Sequence, residues 1–172
     1  PKLSDLAVQI NEWARGTPIS DITLDSTYFA PEGWDPGNPE SERTIGYQSL
    51  VTALQVDGDR KNPTAETSPR SADPVMAVGV ALKKNIGPLA SSATLTKAKA
   101  GTNLLEIASV KSQPISRWIE HMLKVSDNTE AEFLARLVTK QLGYDGSRDW
   151  VEDALKEALT RAGLSTDDLQ LR

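Results

Sequence analysis

The chain has 172 residues, 38% of them hydrophobic and 25% charged, with ten prolines and a formal net charge of −5. That balance reads as a soluble globular segment with one good core or two small ones, and it excludes both a disordered tail and a membrane span, since no apolar run approaches the ~20 residues that cross a bilayer. The acidic surplus without any Lys/Arg stripe argues against nucleic acid as the main partner, the absence of cysteine excludes disulfides and thiolate zinc sites, and the single histidine, His121, excludes a multi-histidine metal centre.

The chain opens on Pro1 with no Met, basic leader or apolar signal core, and so reads as an excised or processed segment. Leu3, Leu6, Ala7, Ile10, Trp13 and Ala14 recur at helical spacing and predict a helix over 3–15 closed by Gly16. "PISDITLDSTYF" (18–29) predicts a strand, and "APEGWDPGNP" (30–39), broken by prolines and glycines, predicts a loop. "TIGYQSLVTALQV" (44–56) reads as one or two strands, whereas "DGDRKNPTAETSPRSADP" (57–74) has little to bury and reads as an exposed loop. Asp73-Pro74 is a helix start, an N-cap with proline at the first helical position, and the apolar stripe behind it runs to Gly87. "ATLTKAKAGTNLLEIASVKS" (93–112) predicts two strands joined near residues 100–103.

From Gln113 the pattern becomes helical. One stripe is Ile115, Trp118, Ile119, Met122 and Leu123; a second is Ala131, Leu134, Ala135, Val138 and Leu142; a third is Trp150, Val151, Ala154, Leu155, Ala158 and Leu159. Gly143 and Gly163 stand where C-terminal caps belong, Trp118 and Trp150 read as core anchors, and "DDLQLR" (167–172) reads as the opening of another strand. The expected class is therefore α/β (α+β), a mixed unit followed by a helical one.

Between the first two of these helices lies Ser126-Asp127-Asn128. All three residue types are favoured helix N-caps, because short polar side chains accept bonds from the free N–H groups of a first turn, so a helix break spelled this way requires no function. S-D-N is also one of three signatures, with S-x-x-K and K-T-G, of serine enzymes that react with penicillin. The flanks favour that second meaning. "LLEIASVKSQPISRWIEHMLKVSDNTEAEFLARLVTKQLG" (104–143) resembles the matching segment of the class C, low-molecular-mass penicillin-binding proteins, the D-alanyl-D-alanine carboxypeptidase/endopeptidase family, in its "ASxxSxP", "LLxxMLKxSDN" and "AExLxRxxG" stretches. "LAVQINEWARGTPISDITLDSTYFAPEGW" (6–34) resembles the start of that family's accessory domain.

The resemblance implies an accessory α/β domain over residues 1–103, inserted in a catalytic domain of which residues 104–172 are the helical part bearing S-D-N, an incomplete portion of the penicillin-binding/β-lactamase-like transpeptidase fold. It implies that Ser126 relays a proton between the lysines of S-x-x-K and K-T-G, that Asn128 orients the acyl-side amide of the substrate, and that Asp127 points away and holds the turn. It implies peptidoglycan stem peptides and β-lactams as ligands, an extracytoplasmic location with membrane contact at the surface only, and no metal or organic cofactor. No Ser is followed three places on by Lys, and no K-T-G occurs; Thr94 with Lys97 and Thr96 with Lys99 are the nearest imitations. Both missing motifs are thus expected in other segments of the same protein, and the chain alone is not expected to be catalytic. Two other readings stand beside this one: a noncatalytic cell-wall-binding or scaffold relative of the same fold, and an unrelated interaction module with an incidental S-D-N cap. His121, one residue off its stripe, reads as a partly exposed helix residue, and Glu130 and Glu132 as carboxylates that favour the dipole of the next helix.

Overall fold

A computed structural model describes residues 2–31, 33, 34, 37–65 and 67–169. In chain order its elements are α1 (Leu3–Ala14), β1 (Asp21–Leu24), α2 (Ser41–Ile45), α3 (Pro74–Ile86), β2 (Thr94–Lys97), α4 (Ile115–Val125), α5 (Asn128–Gln141) and α6 (Val151–Arg161). The fold is mixed α/β, with a parallel sheet of two strands in which Asp21 stands opposite Thr94 and Leu24 opposite Lys97.

The first unit packs α1 and α3 against that ribbon around small side chains. Ala7, Ile86, Ala90 and Ala93 are buried, ringed by Ile10, Ile19, Ile22, Leu82 and Leu89. Gly79 lets β1 come close to α3, because a Cβ at that position would lie 2.5 Å from Leu24 Cδ1. The Asp73 carboxylate accepts the N–H of Met76 at 3.1 Å and so caps α3 as expected, while its second oxygen accepts from Lys97 at the end of β2 at 2.6 Å. Asp25, just past β1, accepts the N–H groups of Thr27 and Ala100 at 2.8 Å each, which fixes the chain as it leaves β2.

The second unit is the expected set of three helices. α5 and α6 end on Gly143 and Gly163, both left-handed, and in each case the next N–H reaches back to the last turn: Tyr144 to the Thr139 carbonyl and Leu164 to the Leu159 carbonyl, both at 3.0 Å. α4 is helical but packs on one narrow edge only. Of its predicted stripe only Trp118 and Met122 are half-buried, and Ile115, Ile119 and Leu123 are exposed. Trp150 is not a core anchor: it is 42% exposed and stacks flat on Tyr144, 4.9 Å between centroids.

The strands expected over 44–56 and in the second half of 93–112 are absent among the described residues. Residues 44 and 45 close α2, and beyond them the backbone finds side chains instead of a ladder, as where the buried Ser49 N–H donates to the Thr129 hydroxyl of α5 at 3.0 Å. Past Lys97 no neighbouring strand is present among the described residues to pair with, and Leu104 and Leu105 stay exposed. At the C-terminus, Leu169 N–H closes a turn on the Thr166 carbonyl at 3.1 Å; residues 170–172 of the expected last strand lie outside the described residues.

The expectation of an exposed loop over 57–74 holds for residues 61–64 and is corrected on either side of them. Asp59, Ser68 and Arg70 are buried, and an antiparallel bridge joins Arg60 to Arg70. Arg70 donates through Nε and Nη2 to the Gly46 carbonyl at 3.0 and 2.8 Å and through Nη1 to the Gly58 carbonyl. Low hydropathy concealed a packed polar loop, because guanidinium groups can fill a core position when carbonyls surround them. Burial pushes the Asp59 carboxyl up to about 6, against the opposing pull of the Ser71 N–H, the Ser49 hydroxyl and Arg70.

Two outcomes follow. Gly46 sits at φ 104 with the Ser68 carbonyl oxygen 2.3 Å from where a Cβ would be, so Gly46→Ala should cost about 2–3 kcal/mol or more in urea denaturation. Asp59 has a folded pKa above its unfolded value of about 3.9, so its burial costs nothing below about pH 4 and its full penalty above about pH 6. Asp59→Asn should therefore gain on the order of 2 kcal/mol over the parent at pH 7, with the gain vanishing in urea melts at pH 4.

Candidate active site

Ser126, Asp127 and Asn128 hold three different backbone positions. α4 ends when Ser126 turns left-handed (φ 55, ψ 49), and both the Ser126 and Asp127 N–H groups reach back to the Met122 carbonyl, the latter at 3.2 Å. Glycine favours that position; a side chain there costs roughly 1–2 kcal/mol. Asp127 is extended and caps α5, its Oδ1 accepting the Glu130 N–H at 2.9 Å, and Asn128 is the first helical residue. One residue stops a helix, the next starts another. The corner leaves Ser126 and Asn128 exposed and Asp127 buried.

Asp127 spends its second oxygen on an ion pair. Arg60 Nη2 donates to Oδ2 at 2.7 Å, between side chains only 17% and 5% exposed. Burial alone would raise the Asp127 carboxyl, but the bonds from Arg60 and the Glu130 N–H, with the charges of Arg60 and Arg70, outweigh it and hold the group below the usual carboxylate range. Thr129 turns inward beside it and takes the Ser49 N–H. Phe133, one turn on, lies edge-on to both Phe29 and Trp118, at 5.2 and 5.7 Å. α5 thus turns Thr129 and Phe133 to the chain before α3 and buries Arg136 and Thr139, while Leu134, Ala135, Val138 and Leu142 of the predicted stripe are half-buried and Ala131 is exposed.

His121 is exposed as expected, and its Nδ1 lies 2.7 Å from Glu130 Oε2, so Glu130 has a partner beyond the helix dipole. Glu132 likewise pairs with Arg136 at 3.2 Å. A cleft of about 680 Å³ opens between the start of α1 and the α4–α5 corner, lined by Gln55, Arg60, Asn85, Trp118, His121 and Glu130 among others. Asp127 reaches its wall; Ser126 and Asn128 do not. Among the described residues no group of three or more acidic or histidine side chains could hold a metal ion, and no helix is long and apolar enough to cross a membrane.

Sequence reading singled out the triplet but not Arg60, Arg70, Ser49 or Thr129. The available signal was Asp57-Gly58-Asp59, a turn-forming run just ahead of a lone arginine. Nothing in that run says which carboxylate, 67 residues on, the arginine meets.

Comparison with known proteins places these features in a family. The carboxypeptidase DacB of Mycolicibacterium smegmatis is 32% identical over 99% of this chain and 36% of its own length, and a carboxypeptidase of Mycobacterium tuberculosis is 28% identical over 96% of this chain and 35% of its own. The chain therefore spans about a third of the length of these curated relatives. No solved structure gives a significant match. The model of the D-Ala-D-Ala carboxypeptidase 3 (S13) family matches residues 63–172, a span that holds α3, β2 and the whole Ser126–Asn128 corner, and the chain belongs to that family.

Proposed function

We propose that this chain is the S-D-N-bearing portion of a penicillin-sensitive serine D-alanyl-D-alanine carboxypeptidase/endopeptidase acting on peptidoglycan stem peptides outside the cytoplasm. Residues 1–103 form its accessory domain, and residues 104–172 part of a catalytic domain of the penicillin-binding fold. The observation that carries the reading is the corner itself: a buried aspartate, tied on both oxygens, flanked by an exposed Ser126 in a backbone conformation that serine disfavours and an exposed Asn128 at a helix start. Strain kept at a polar, accessible position is characteristic of a site.

The serine of S-x-x-K, supplied by another segment, attacks the carbonyl of the penultimate D-alanine and expels the terminal one, leaving an acyl-enzyme that water resolves. Ser126 hands a proton toward the departing amine between the two motif lysines, and Asn128 holds the acyl-side amide so that the carbonyl faces the nucleophile. Asp127 touches no substrate. The exposed Ile115, Ile119, Leu123, Leu104 and Leu105 offer an apolar face for the segments that carry the missing motifs.

Benzylpenicillin tests this in the full-length protein, read by intact mass. The wild type should gain one penicilloyl mass, and Asn128→Ala and Ser126→Gly should slow its appearance about 100-fold or more. Ser126→Gly also separates site from cap: relief of the left-handed strain should raise the melting temperature even as acylation falls. Unchanged acylation in a more stable Ser126→Gly protein would reduce the triplet to a helix boundary, and a folded full-length wild type without any adduct would indicate a noncatalytic relative.

A further inference from the structure

The run that delivers Arg60 is itself unusual. Asp57, Gly58 and Asp59 are all left-handed, at φ 51, 56 and 61, where L-residues appear singly if at all. Asp59 N–H closes on the Val56 carbonyl at 2.7 Å and Arg60 N–H on the Asp57 carbonyl at 3.2 Å. Two guanidiniums brace the turn from outside: Arg60 Nη1 donates to the Asp57 carbonyl at 3.2 Å, and Arg70, seated on Gly46, donates to Gly58. A Cβ on Gly58 would lie 2.8 Å from Nη1 of each arginine, so both groups occupy the space of its missing side chain. Among the described residues, the Arg60 side chain has one hydrogen-bond target outside this turn, Asp127 Oδ2.

We propose that Arg60 is a positioning residue for the Ser126–Asn128 corner: the braced left-handed turn holds Arg60 at one fixed reach, and its ion pair with Asp127 sets the junction between α4 and α5 from which Ser126 and Asn128 project. This rests on the function proposed above. An N-cap needs only one carboxylate oxygen, and Glu130 N–H already has Oδ1. The pair on Oδ2 adds nothing to α5 itself; it ties the corner to a loop 67 residues earlier. Around Asp127 stand Arg60 and Arg70 from that loop and Glu130 with its partner His121 from the two helices; Asp57 lines the same cleft, and Asp59 faces Arg70. Without Arg60, burial would drive Asp127 toward its protonated form, and the corner would loosen as pH falls.

The test uses the full-length protein, with benzylpenicillin acylation measured from pH 5 to 9 alongside melting curves for wild type, Arg60→Gln and Arg60→Lys. Folded Arg60→Gln should acylate at least ten-fold more slowly at pH 7, with its acid limb moved to higher pH, and Arg60→Lys, which keeps the charge, should recover most of the rate and the wild-type limb. If Arg60→Gln does not fold, Arg60→Lys and Gly58→Ala carry the test: a slower rate in Gly58→Ala, whose methyl displaces both guanidiniums, supports the proposal, and a wild-type rate overturns it. Wild-type acylation in folded Arg60→Gln, or a loss equal at every pH that lysine does not repair, also overturns the positioning role while leaving the function intact. A wild type that takes no adduct overturns the function and this role with it, and acylation unchanged by Ser126→Gly overturns the site at the corner and so the positioning role.

Discussion

The Asp127 carboxylate is the point on which the two halves of the molecule agree. One oxygen starts α5, the other holds Arg60, and the arginine in turn belongs to a loop whose Arg70 is buried on the Gly46 carbonyl and whose buried Asp59 accepts from the Ser49 hydroxyl. Buried ion pairs recover their desolvation cost only when every lone pair is used, and removing one partner typically costs about 3–5 kcal/mol. Here the use is full enough that the carboxylate stays charged despite burial. Around this pair the usual division of labour is reversed: polar groups hold the interface between the loop and α5, while apolar side chains on α4 face outward.

The small residues of the first unit set a second constraint. A core built on Ala7, Ala90 and Ala93, with Gly79 against Leu24, brings helices and strands close together but removes little apolar surface from water. The sheet stops at two strands, too few to stand alone, and α1 and α3 supply the cover it needs. Stability in this unit depends on close approach; Asp25 ties the ends of β1 and β2 together, and Asp73 ties the end of β2 to α3.

What the sequence made legible was what is decided locally. Helices α1, α3, α5 and α6 announced themselves through spacing and caps, since an N-cap such as Asp73 and a terminator such as Gly163 act within one turn of their own position. Strands are decided by partners, which is why residues 44–56 and 104–112 form none: their composition suits a sheet, but their backbone neighbours are side chains or solvent. The buried positions within 57–74 are hidden for a related reason, because charge normally signals exposure and only the contacts of Arg70 and Asp59 show otherwise. The triplet at 126–128 could be found as text, but its left-handed serine and its arginine partner belong to three dimensions.

The left-handed backbone at Ser126 also turns that position into a historical marker. Glycine or asparagine suits that backbone better than serine, so on the proposed function serine is kept there by chemistry and not by folding. In a lineage released from its chemistry, this residue should be among the first of the corner to drift, ahead of Asp127, whose burial keeps it under structural selection regardless of activity. The order in which those two neighbours change would date the loss of function against the persistence of the fold.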